Sequence, residues 1–110
     1  MVDFAIKQND TSPALDVVLR DGFKQPVNLT GATVVLNMRL KPAGAVKING
    51  GPMGAVGNAQ DGRQSYSFSA ANTDTAGNYE AEIKVTFSNG TVRTFPPDGY
   101  LEFLIKDDIA

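Results

Sequence analysis

Two glutamates, Glu80 and Glu82, have the most suggestive spacing for chemistry in the chain, two positions apart within a segment of alternating polar and apolar residues. In an extended strand, side chains with this spacing share one face and lie about 7 Å apart. Glycosidases use paired carboxylates at such distances. Nothing around them indicates a cleft or a raised pKa, so the pattern favours two glutamates on the solvent-facing side of a strand.

Composition excludes most other reaction chemistry. The 110 residues include no Cys and no His, so the chain has no imidazole base, thiol nucleophile, Ser-His-Asp triad, or His or Cys metal site. Asp10, Asp16 and Asp21 are scattered, and Asp107 and Asp108 are adjacent, without the Asp-x-Asp-x-Asp-Gly pattern of a calcium loop. We predict that the protein is not an enzyme and that it holds no cofactor and no metal.

Charge and hydropathy narrow the classes of partner. Ten basic and twelve acidic residues give a net charge of −2, whereas nucleic-acid-binding domains are usually basic. No segment approaches the roughly 20 apolar residues of a transmembrane helix. The first seven residues carry an acid and no apolar run, so we expect no signal peptide. Neither a nucleic acid nor a membrane is expected as a partner.

The positioning elements are predicted to be short β-strands. Asn-Gly or Asp-Gly, which favour tight hairpin turns, occurs five times. Apolar residues alternate with polar ones over 78–87 and 32–40, as in strands with one buried face. We predict an all-β fold, an immunoglobulin-like antiparallel β-sandwich of about seven to nine short strands. The predicted strands cover 3–7, 14–20, 26–29, 32–40, 45–48, 64–69, 78–87, 91–95 and 100–106.

A turn before one of these strands supports the immunoglobulin-like prediction. The segment from Asp74 to Ala81 is similar to the stretch that precedes strand F of immunoglobulin-like domains. There a tyrosine hydroxyl, here that of Tyr79, bonds to backbone upstream in a tyrosine corner. Ala81 stands where an antibody domain has a cysteine. The alternative is an ordinary turn before a strand with a buried tyrosine.

The chain is expected to form one domain over 1–110. Residues 1–7 are predicted to be an N-terminal arm or an edge strand, and 107–110 a tail that leads away from the fold. The Gly- and Pro-rich range 41–63 is predicted to be a flexible loop or hairpin. Its glycines do not match the phosphate-binding loop pattern.

Some apolar residues are out of phase with the predicted inward set of their strands. They are either part of a subunit interface or the second side of a packed sheet. The candidate interface residues are Val18, Val35, Phe95, Tyr100 and Leu104.

The order of motifs resembles a known family. Its shared features are a polar Asp-Thr opening, a Pro-Val-x-Leu-Thr-Gly-Ala-Thr-Val centre, a Gly-x-Tyr turn, a Gly-Thr hairpin and a closing strand. The chain is similar over about residues 8–106 to the N-terminal domain of phage baseplate upper proteins, with Ala76 where Pro is common. The matching segments are Asn9–Thr11, Pro26–Val34, Asp74–Tyr79, Asn89–Thr91 and Tyr100–Ile105.

The resemblance implies a phage virion structural protein of the tail, baseplate or an appendage, assembled in the host cytoplasm. It implies other phage virion proteins as partners and a homotrimer. Family members are usually longer, so we expect either a stand-alone virion protein or a shortened piece. The alternative function is a receptor- or carbohydrate-recognition module that binds through 41–63. That range has no aromatic residue and the chain no Trp, which disfavours a sugar site.

Overall fold

The computed structural model describes residues 2–109, which measure 45 × 27 × 23 Å along their principal axes. Met1 of the predicted arm and Ala110 of the predicted tail lie outside the described residues. Two short 3-10 helices, Ala59–Asp61 and Ala70–Thr73, accompany the strands within this range. The strands are β1 (Phe4–Lys7), β2 (Leu15–Val18), β3 (Thr33–Leu40), β4 (Val46–Pro52), β5 (Gly54–Ala55), β6 (Arg63–Tyr66), β7 (Gly77–Thr86), β8 (Val92–Phe95) and β9 (Leu101–Lys106).

A six-stranded sheet forms the larger layer, with five strands in the order β1-β9-β7-β3-β4 and the sixth, β8, paired with β7. At its centre β3 and β7 pair antiparallel without a break, from Thr33 opposite Thr86 to Leu40 opposite Tyr79. The other side of β7 pairs with β9 in its first half and with β8 in its second half. The prediction of antiparallel strands holds for every described pair except β1 and β9, which run parallel.

The smaller sheet has three antiparallel strands in the order β2-β6-β5. Both sheets contribute to one hydrophobic core, for example through Leu15 and Tyr66 from the smaller sheet and Leu36 and Ile83 from the larger. Because successive side chains point to opposite faces, β7 buries every second residue and keeps the others at the surface. The all-β prediction is therefore confirmed, and the two-sheet arrangement agrees with an immunoglobulin-like sandwich.

One predicted strand is missing from the observed structure. The strand predicted over 26–29 is absent, and only an isolated bridge joins Arg20 to Pro26. Val27 and Leu29 are nevertheless buried, so their alternation reflects packing on the core rather than pairing in a sheet. Range 41–63 contains β4, β5 and the first 3-10 helix.

Candidate functional site

The turn that enters β7 has the contact required of a tyrosine corner. Tyr79 is 2% exposed, and its hydroxyl donates a 2.8 Å hydrogen bond to the carbonyl oxygen of Thr75. Burial raises the pKa of Tyr79. Asp74 does not touch this hydroxyl: its carboxylate accepts hydrogen bonds from Lys47 and Thr75, and the Lys47 bond lowers the pKa of Asp74. These hydrogen bonds hold the turn in its conformation.

The predicted interface residues do not form one patch. Val35 and Leu104 are half-buried on the outer face of the larger sheet, with β7 between their strands. Tyr100 immediately precedes β9 and is 47% exposed. Val18 belongs to β2 of the smaller sheet, the other layer of the sandwich.

The expectation that Phe95 faces outward is wrong. Phe95 is 6% exposed and belongs to the hydrophobic core, where it stands opposite Ile83 of β7. Pairing with β7 sets which residues of β8 point inward, and a four-residue strand carries too little alternation to fix this from the sequence.

A groove opens on the outer face of the larger sheet, with a volume of about 230 Å³. Arg39 crosses it: its Nε lies 2.6 Å from Oε1 of Glu80, and its Nη2 donates to the Tyr100 hydroxyl at 3.1 Å. The guanidinium carbon lies 5.1 Å from the centre of the Tyr100 ring, within cation–π distance. The hydrogen bond to Glu80 raises the pKa of Arg39.

The glutamate pair lies in this groove but with unequal surroundings. Glu80 is paired with Arg39, and its side chain is only 11% exposed. Glu82 also lines the groove, and its carboxylate has no hydrogen-bond or ion-pair partner among the described residues. The arrangement suits recognition by charge and shape. A glycosidase would need two carboxyl groups with room for a sugar between them, and Arg39 already neutralises one of these.

One exposed aromatic residue was not among the candidate binding residues predicted from the sequence. Phe23 is 87% exposed at the tip of the turn that follows β2. The Asp21 carboxylate accepts hydrogen bonds from the backbone N–H groups of Phe23, at 2.8 Å, and Gln25, at 3.0 Å. The signal that could have found it is a Phe directly after an Asp-Gly turn, where no strand can bury it.

Residues 2–109 contain no cluster of three or more potential metal-ligating His, Cys, Asp or Glu residues. They also contain no helix with the length and apolar character needed to cross a bilayer.

Comparison with protein families matches residues 4–96 to the model described as the BppU N-terminal domain. The chain belongs to this family. The match runs from the first residue of β1 to just beyond β8, so it includes all of the smaller sheet and every strand of the larger sheet except β9. None of the curated proteins matches the chain.

Membership confirms the resemblance to the N-terminal domain of phage baseplate upper proteins. It makes this a phage baseplate structural domain, a component of the virion that contacts other phage structural proteins.

Proposed function

We propose that the protein is an assembly module of the phage tail, baseplate or an attached appendage, which joins virion proteins through its surface and catalyses no reaction. The observation that carries this proposal is the family match over residues 4–96. We further propose one domain over 1–110 that is assembled in the host cytoplasm, with copies of the chain arranged as a homotrimer.

The surface supports a binding role over a catalytic one. Exposed side chains with apolar area, such as Phe23, Val46 and Tyr100, are presented on a core that holds no unpaired buried side-chain polar atom within residues 2–109. A fully satisfied core favours one rigid arrangement, and rigid surfaces lose less entropy when they dock. Such a domain can act as a fixed joint between neighbouring proteins.

The test uses the phage whose genome carries the gene. Gold-labelled antibody against the domain is expected to mark the tail tip of intact particles in electron micrographs. Phage that lack the gene are expected to yield particles with incomplete tails, and the wild-type chain supplied from a plasmid should restore them. Labelling confined to the capsid, or complete infectious particles without the gene, would contradict the proposal.

The alternative, recognition of a receptor or carbohydrate through 41–63, has weaker support. Val46 and Asn49 of this range line the groove together with Tyr100, and sugars commonly stack on aromatic rings. However, the guanidinium of Arg39 already lies over that ring. Binding to a glycan array that disappears in a Tyr100→Ala variant would favour this alternative over the assembly role.

A further inference from the structure

Two features outside the tyrosine corner carry exposed apolar side chains and opposite net charges: the turn Arg20–Pro26, called here the Phe23 turn, and the groove on the larger sheet. Of the seven exposed large hydrophobic side chains within residues 2–109, three belong to them, Phe23 in the turn and Val46 and Tyr100 in the groove. We propose that the Phe23 turn of one copy of this chain docks into the groove of a second copy. This inference rests on the proposed assembly role and names a surface through which copies meet.

The Phe23 turn is ordered before any partner binds. Besides the two bonds to the Asp21 carboxylate, the Asp21 N–H donates to the Gln25 carbonyl at 2.8 Å, and the Lys24 N–H donates to the Asp21 carbonyl at 2.9 Å. Arg20 adds a 3.3 Å bond to the Lys24 carbonyl. Because the backbone is already fixed, docking of the Phe23 ring orders little more than that side chain.

The groove has room for the ring. Its volume is about 230 Å³, and a benzene ring fits an engineered cavity of about 150 Å³. Val46 and Tyr100 supply apolar surface at its rim, with exposed fractions of 62% and 47%. Tyr and Arg, together with Trp, are enriched among the energetically dominant positions of protein interfaces, and here Arg39 lies over the Tyr100 ring.

Charge favours the same pairing. The Phe23 turn carries Arg20, Asp21 and Lys24, a net charge of +1. The charged residues that line the groove are Arg39, Glu80 and Glu82, a net charge of −1. Lys24 and Glu82 both lack an ion-pair partner among the described residues, so an intermolecular Lys24–Glu82 pair would satisfy both.

Position requires that the partner be another molecule. The Phe23 turn follows β2 in the smaller sheet, whereas the groove lies on the face of the larger sheet that points away from the smaller one. The contact is therefore head-to-tail, with different surfaces from the two copies. Contacts of this kind close into a ring when the rotation that relates one copy to the next is a whole-number fraction of a full turn. A threefold ring is one such arrangement.

The test is the mass of the purified chain in solution against its monomer mass of 11.7 kDa. The contact is small, so we expect association in the range from about 10 µM to 1 mM, measured by sedimentation equilibrium. The mass should rise with concentration, and less so at high salt, because rim charges are screened. Phe23→Ala and Glu82→Lys are each expected to lower the association constant at least about tenfold. Val92→Ala removes another exposed apolar side chain, away from both surfaces, and should behave as the wild type does.

Mixing and charge reversal identify the contact itself. Phe23→Ala keeps an intact groove and Glu82→Lys keeps an intact turn, so a mixture of the two is expected to form 1:1 heterodimers and nothing larger. Lys24→Glu should weaken association, and the double variant Lys24→Glu/Glu82→Lys should restore it. Circular dichroism of each variant should match that of the wild type, because all three positions lie on the surface.

Three results would overturn the inference: a wild-type chain that stays at monomer mass at 1 mM, a Phe23→Ala variant that associates as strongly as the wild type, or a mixture that forms no heterodimer. A monomeric chain that binds glycans through Tyr100 would instead assign the groove to a saccharide. None of these results would alter the antibody labelling of particles, so failure of this contact is distinguishable from failure of the assembly role.

Discussion

Replacement of Tyr79 by Phe removes one hydroxyl from the tyrosine corner and changes little else. The ring stays in the core, where Tyr79 is 2% exposed, while the Thr75 carbonyl loses its 2.8 Å donor. A net hydrogen bond contributes about 0.5–1.5 kcal/mol, and an acceptor left unpaired in the interior costs about 1–3 kcal/mol. Thr75 is exposed, so water can reach its carbonyl. We therefore expect the free energy of unfolding to fall by about 1 kcal/mol, a loss of roughly 4 °C in Tm.

Urea unfolding followed by far-UV circular dichroism measures this loss without depending on Trp fluorescence, since the chain has no Trp. Tyr100→Phe is the matched control: it also removes a hydroxyl that bonds to a neighbour, but at a residue that is 47% exposed. Its effect should stay within about 0.5 kcal/mol, as for most surface changes. Equal stabilities for Tyr79→Phe and Tyr100→Phe would refute the claim that the corner fastens the turn.

Three further predictions concern the hydrophobic core, a turn, and the loss of folding stability at acid pH. Leu36→Ala, at a side chain with no exposed surface, should lower the free energy of unfolding by about 2–5 kcal/mol in the same urea assay. Gly62→Ala should destabilise the fold by more than about 1 kcal/mol, because Gly62 has a φ of +70° and an added Cβ would lie 2.7 Å from the Leu19 carbonyl oxygen. Gly22→Ala is the control, since a Cβ added there meets no atom within 4 Å. Thermal unfolding of the two variants measures the difference. The hydrogen bond from Arg63 lowers the pKa of Asp16. The pair therefore stabilises the fold fully above the unfolded-state pKa of about 4, and this stabilisation is lost as the pH falls through the lower folded-state pKa. Between about pH 5 and pH 2, the urea midpoint should therefore fall less in Asp16→Asn than in the wild type.

Local patterning was sufficient for much of the fold. The alternation over 78–87 and 32–40 matches β7 and β3, the two central strands, because a strand with one buried face must alternate along its whole length. The same logic put Glu80 and Glu82 on one face, where both line the groove.

Short segments were less predictable. Range 26–29 alternates as a strand does, yet it forms no strand, and its apolar residues Val27 and Leu29 are buried without a partner in a sheet ladder. In β8, the pairing with β7 buries Phe95. In both cases, segments that are distant in the chain decide whether the residues pair in a sheet and which of them are buried.

The sequence by itself determined the class of this protein. Missing Cys and His excluded most catalytic and metal chemistry, alternation and Asn-Gly or Asp-Gly turns predicted an all-β chain, and motif order predicted the family. These properties depend on residue type and on local spacing, which the linear amino-acid sequence contains directly.

Only the tertiary structure decided how the surface is arranged. Arg39, Glu80 and Tyr100 come from three separate parts of the chain and meet because β3, β7 and β9 are neighbours in one sheet. Strand order follows from long-range pairing, which local spacing does not encode. For the same reason, the sequence could not show that Phe23 and the groove lie on different layers of the sandwich.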